Sequence, residues 1–341
     1  MQRAFLYLLI ALSFTGLHAP AQAGIVDSLR WIWSDEEPEV TQSEKEAEEA
    51  EAQAILDKAT ARYEDGNMWL ANRGFKKIIK KYEETPAAGE ALFYQAHYYM
   101  TKERWGKAFK SFQGIVDNHP RFEQFDRVIS GQFECATAHM EGARGRILGV
   151  IPGFKQYKLA NDEFEQIVRN ARFGDYAPLS LMNIALLANM REKPEDAIDA
   201  LDRLINYYPQ SMLAPDAYFN LAKTYSELVR GEAYDQGSTR QAISYYEDFL
   251  ILFPNNQYIG DVEANLERME NLLASSRLNL GDFYYFYRAN NTAALIFYNE
   301  AITTAPNSDA AAEARDRIAD IEAGVRPATS SNLLGKILGF N

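Results

Sequence analysis

Apolar residues recur along this chain at the three- and four-residue spacing of helix faces, and no run of β-branched residues alternates with polar ones. The pattern predicts an all-α protein without a sheet. One signature returns six times: a small alanine sits four positions before a large apolar residue. The pairs are Ala71 and Phe75, Ala108 and Phe112, Ala160 and Phe164, Ala197 and Leu201, Ala242 and Tyr246, and Ala294 and Tyr298. Four of these segments close twelve residues after the alanine, on Pro120, Pro209, Pro254 and Pro306. Successive alanines lie 37, 52, 37, 45 and 52 residues apart, close to one helical hairpin plus insertions. The reason for the signature is steric. Two helices approach closely only where a small residue faces a large one, and proline cannot continue the helical ladder.

Further positions extend the pattern. Segment 92–120 carries Leu92, Ala96, Tyr99, Ala108, Phe112 and Pro120, and segment 181–209 carries Leu181, Ile184, Ala185, Ala188, Ala197, Leu201 and Pro209. Tyr218, Leu221, Ala222 and Tyr225 lead to Ala242 and Tyr246, and Gly281 and Tyr285 lead to Ala294, Tyr298 and Ala301. This succession resembles the tetratricopeptide repeat, in which A-x3-F and a closing proline follow an aromatic–small first helix. The resemblance covers residues 46–323 and implies a right-handed solenoid of about six helical hairpins. Breakers separate the two helices of each hairpin at Glu64–Asn67, Lys102–Arg104, Glu192–Glu195 and Arg288–Asn291.

Residues 1–23 read as an export signal, with Arg3 at its positive end, an apolar stretch from Ala4 to Phe14, and Ala21-Gln22-Ala23 as the cleavage site. The mature chain is expected to begin at Gly24, exported and periplasmic, at or near the outer membrane. Residues 24–45 form an acidic and aromatic lead-in, and 324–341 a tail with an apolar end. The formal charge of −13 argues against nucleic acid, which needs a basic footprint. Residues 35–51 hold nine acids and one lysine, read as a solvated lead-in or as a binding tail. The one cysteine, Cys135, is expected to pack in the first helix of the third hairpin.

No catalytic or metal constellation emerges. His97, His119 and His139 form no ligand-pair spacing, Cys135 has no second cysteine, and Gly142–Arg146 lacks the phosphate-loop spacing. The expectation is a protein that is not an enzyme and takes neither cofactor nor metal.

Residues 214–323 carry a more specific likeness. Tyr234-Asp235-Gln236-Gly237-Ser238-Thr239 stands as an insertion before Ala242, a long helix runs on to Gly281–Tyr285, and Phe286–Ala294 follows. This order resembles the BamD family of outer-membrane assembly lipoproteins. The resemblance implies a periplasmic scaffold that binds a β-barrel assembly core protein and unfolded outer-membrane proteins. The family's lipidated cysteine has no counterpart, since position 24 is glycine. A soluble coordinator of envelope or peptidoglycan machinery is the other reading.

In such repeats the first helices line a groove, and positions spaced 3, 4 and 3 share its face. That register gives Phe93, His97 and Met100, then Leu179, Met182, Leu186 and Asn189. It continues with Asp216, Phe219, Lys223 and Ser226, and then Asn279, Phe283 and Phe286. The stripe is read as a peptide or partner groove, or as a face covered by insertions and termini. Three apolar segments, carrying Trp31 and Trp33, the 145–155 insertion, and Leu334, Ile337 and Phe340, are read as membrane or partner docking or as caps on the solenoid.

Overall fold

The computed structural model describes residues 42–147, 151–229 and 236–325. The expected signal, Trp31, Trp33, Leu334, Ile337 and Phe340 lie outside the described residues. Contacts divide the chain after Glu51. Of the first unit the described part is the exposed, acidic start of α1 (Gln42–Glu64). The second unit holds everything else.

Thirteen α-helices occur among the described residues. After α1 come α2 (Met68–Lys81), α3 (Pro86–Met100), α4 (Trp105–Asn118) and α5 (Phe125–Met140). Then follow α6 (Tyr157–Asn170), α7 (Tyr176–Met190), α8 (Pro194–Tyr207), α9 (Ala214–Leu228) and α10 (Gln236–Leu252). The last are α11 (Ile259–Asp282), α12 (Asn291–Thr304) and α13 (Asp309–Glu322). From α2 onward each helix packs against the next, so α1 to α12 read as six hairpins and α13 covers the last. The fold is all-α, a tetratricopeptide-repeat solenoid.

Burial explains the six-fold signature. All twelve residues of the alanine–aromatic pairs have no solvent exposure. Each buried Phe, Leu or Tyr contributes roughly 1.5–3 kcal/mol, so these six second-helix anchors are a large share of the apolar stabilisation. The closest approaches need no side chain at all. A Cβ on Gly131 would lie 2.4 Å from the Phe112 ring, and one on Gly281 would lie 2.5 Å from Tyr298. The prolines act as expected: α4, α8, α10 and α12 end two residues before Pro120, Pro209, Pro254 and Pro306.

Four of the hairpin turns share one closure. Gly66, Glu103, Gly142 and Glu192 adopt positive φ, at 80°, 52°, 99° and 55°. The next N–H then reaches back five residues: Asn67 to Arg62, Arg104 to Tyr99, Ala143 to Ala138, and Lys193 to Ala188, at 2.8–3.0 Å. Helix starts are fixed by Asn67, Asn290 and Ser308, whose side chains accept N–H groups of Leu70, Ala293 and Ala311. Pro194 sits in the first turn of α8, where its missing N–H costs nothing.

Three features depart from the sequence expectation. The 145–155 insertion includes a two-stranded antiparallel ribbon, β1 (Arg144–Ile147) with β2 (Ile151–Lys155), pairing Arg144 with Lys155 and Ile147 with Ile151. Strands of four and five residues are too short to show a period of two, so no sheet was expected here. The segment read as an insertion before Ala242 is helical from Gln236 on and lengthens the start of α10. The Gln236 amide donates to Ser276 Oγ at 2.7 Å, and Ser238 and Thr239 are buried. Finally α11 runs into a π-helical stretch, Phe283–Tyr287, with wider turns than the α-helix before it.

Two stability measurements follow. Gly131→Ala and Gly281→Ala should each lose about 1–3 kcal/mol in urea unfolding, because the added methyl meets a ring that cannot retreat. Glu192→Gly should gain about 0.5–1 kcal/mol, since a left-handed backbone strains any residue with a Cβ.

Candidate functional site

The first helices α1, α3 and α5 bound a pocket of about 290 Å³ lined by Tyr63, Glu90, Phe93, Tyr94, His97, Gln124 and Arg127. Aromatic contact builds it. Phe93 meets His97 edge-on at 4.5 Å between ring centroids, Tyr63 meets Tyr94 at 5.4 Å, and Tyr94 stacks on Phe75 at 5.5 Å. The Arg127 guanidinium lies over Phe93, 5.1 Å from the ring centroid. Burial lowers the His97 pKa, and the Arg127 charge lowers it further. Glu90 is pushed up by burial and then by Glu123. The pocket thus offers aromatic walls, a cation and a carboxylate, which suits an apolar or aromatic side chain with a polar group beside it.

The other residues of the expected stripe fall in separate hairpins. Phe93 is buried, so it forms the floor of the pocket rather than an open face. Met100 and Met182 are half-buried against the main core. Leu186 and Asn189 are exposed on α7. Phe219 is half-buried, stacked on Tyr258 at 5.0 Å, and Lys223 is exposed and pairs with Glu227 at 3.8 Å on its own helix. Phe283 and Phe286 diverge within the π-helical stretch. Phe283 is exposed, whereas Phe286 is half-buried beneath the Arg317 guanidinium. Of the stripe, the pocket gathers only Phe93 and His97. Tyr63, Glu90, Tyr94 and Arg127 complete it and were not anticipated, because they converge from three helices.

A larger cleft of about 920 Å³ opens between α4 and α6, with Lys107, Lys110, Asp162 and Gln166 among its walls. At its base His139 Nδ1 lies 2.7 Å from Glu163 Oε2, both buried. These two residues are 24 positions apart, so no local spacing connected them. Burial raises the Glu163 pKa, and the hydrogen bond to His139 opposes that rise. Cys135 is buried in α5 as expected, with its thiol pKa raised by burial. Among the described residues no group of three or more His, Cys, Asp or Glu side chains could hold a metal ion.

Six hairpins with a first-helix pocket define a tetratricopeptide-repeat protein. Residues 154–323 match the family model described as "YfiO: Outer membrane lipoprotein". The chain resembles the BamD family. It is 25% identical over 187 residues to the outer membrane protein assembly factor BamD of Rickettsia prowazekii (strain Madrid E), covering 55% of this chain and 74% of that one. Its identity to the BamD of Caulobacter vibrioides is 23% over 182 residues, covering 53% and 59%. The chain therefore spans between about half and three-quarters of the curated relatives it matches. A solved tetratricopeptide-repeat protein from Thermus thermophilus is 16% identical, covering 64% of this chain and 98% of that one, with a TM-score of 0.29. No described helix is long and apolar enough to cross a membrane.

The lowered pKa of His97 gives a pH-dependent stability. Below about pH 6.5 the unfolded chain binds a proton on this residue that the folded chain resists, so stability is full above that pH and falls as pH drops toward the lowered folded value. His97→Phe keeps ring packing and should flatten that decline in urea titrations, relative to the parent, between about pH 6.5 and 5.

Proposed function

We propose that this chain is a periplasmic scaffold or adaptor that assists assembly of outer-membrane β-barrel proteins, holding protein segments along the face of its first helices. The observation that carries the reading is the family match over residues 154–323, which coincides with α6 to α13, the last hairpins of the stack. Within that range Leu186 and Phe283 are large apolar side chains, 42% and 45% exposed, on first-helix positions. Exposed apolar residues on a rigid helical stack suit extended or helical polypeptide segments. The partners are a β-barrel assembly core protein and unfolded outer-membrane proteins. No catalytic step is proposed, and nucleic acid is not a partner of so acidic a chain.

The test is affinity for urea-unfolded β-barrel protein and for the assembly core protein, by anisotropy and co-purification. Leu186→Ser with Phe283→Ser should weaken binding at least about tenfold while circular dichroism is unchanged. One buried apolar side chain contributes roughly 1.5–3 kcal/mol, and tenfold in affinity is about 1.4 kcal/mol. Because Phe93 is buried, it is kept out of this variant. Parental affinity in a well-folded double variant would remove the first-helix face as the binding surface.

A further inference from the structure

We propose that the outward face of α2 docks the protein on an anionic phospholipid surface. Helix α2 reads Met-Trp-Leu-Ala-Asn-Arg-Gly-Phe-Lys-Lys-Ile-Ile-Lys-Lys and contains no acidic residue. Its buried side, with Ala71, Phe75 and Ile78, is held in the core of the first hairpin. The opposite side presents Trp69, Arg73, Lys76, Lys77 and Lys80, all exposed and spaced to share one stripe. Trp69 is 61% exposed, and the Arg73 guanidinium lies 5.1 Å from its ring centroid. Among the described residues Arg73, Lys76, Lys77 and Lys80 form no ion pair.

The repeat itself supplies the control. Counting from the buried alanine of each second helix, these four cations occupy positions +2, +5, +6 and +9. The same positions hold Asp162, Glu165, Gln166 and Arg169 on α6. On α8 they hold Asp199, Asp202, Arg203 and Asn206, and on α10 Ser244, Glu247, Asp248 and Ile251. Elsewhere in the stack these positions thus accept either charge, and some are tied between hairpins, as in the half-buried Arg203–Glu165 pair at 2.7 Å. An all-cationic set in a chain of charge −13 is not explained by packing or by composition.

The chemistry favours a lipid layer over an acidic protein. Three of the four cations are lysines, point charges on flexible stems that match a fluid sheet of phosphates better than a fixed pair of carboxylates. The exposed indole adds the amphipathic ring that settles at membrane–water interfaces. Since the apolar side of α2 is committed to the core, contact is by the polar face alone, shallow and sensitive to salt. The surface lies outside the 154–323 family match and uses no first-helix groove residue.

Co-sedimentation of the full chain with phosphatidylcholine vesicles, with and without phosphatidylglycerol, tests the proposal. Binding should require phosphatidylglycerol and be released by high salt. Lys76→Ser, Lys77→Ser and Lys80→Ser together should weaken it about a hundredfold, at about fivefold per cation near an anionic surface. Brominated lipid should quench the parent more than Trp69→Phe. Leu186→Ser with Phe283→Ser should bind vesicles like the parent, which separates this surface from the proposed groove. Undiminished binding by the triple lysine variant, binding without regard to phosphatidylglycerol, or equal binding to polyglutamate overturns it.

Discussion

The constraint on which this structure depends is the pairing, in each second helix, of a fully buried small residue with a large apolar one. The alanine admits a neighbouring helix, and the large residue one turn later fills the space beyond it. The pairing works because apolar interiors are packed like solids, so one extra methylene is felt. Gly131 against Phe112 and Gly281 against Tyr298 show the same rule from the first-helix side, with the ring supplied by the second helix. Everything else, including where the pocket and the cleft open, follows from how closely the helices are allowed to approach.

Much of that was legible in the chain because the repeat is local. Ala71 and Phe75 are four residues apart, the closing prolines twelve from their alanines, and six copies reinforce each other. The β1–β2 ribbon was not legible, because so short a pairing leaves no pattern. The π-helical stretch was missed for a related reason. Extrapolating a three- and four-residue register through Phe283 and Phe286 assumes an unbroken α-helix. The candidate site was read only in part. Phe93 and His97 share the register of one helix, whereas Arg127 reaches the pocket from α5 and Tyr63 from α1. The His139–Glu163 pair joins α5 to α6 across the inserted ribbon, and no spacing rule reaches that far.

Apolar contacts are strong but nearly direction-blind, so by themselves they would tolerate a helix sliding past its neighbour by a turn. The amides of Gln113, Gln132 and Asn170 remove that freedom. Gln132 donates to Gln113 Oε1 at 2.7 Å, and Asn170 donates to Gln113 at 2.8 Å and to Gln132 at 2.9 Å. One knot therefore ties α4, α5 and α6, each hydrogen bond requiring its own angle and length. Slippage by a turn would break all three of these hydrogen bonds, beside the insertion that lengthens the chain between α5 and α6. Because amides carry no charge, this lock neither titrates nor weakens in salt, and the alignment of the second hairpin with the third is indifferent to the ionic strength around it.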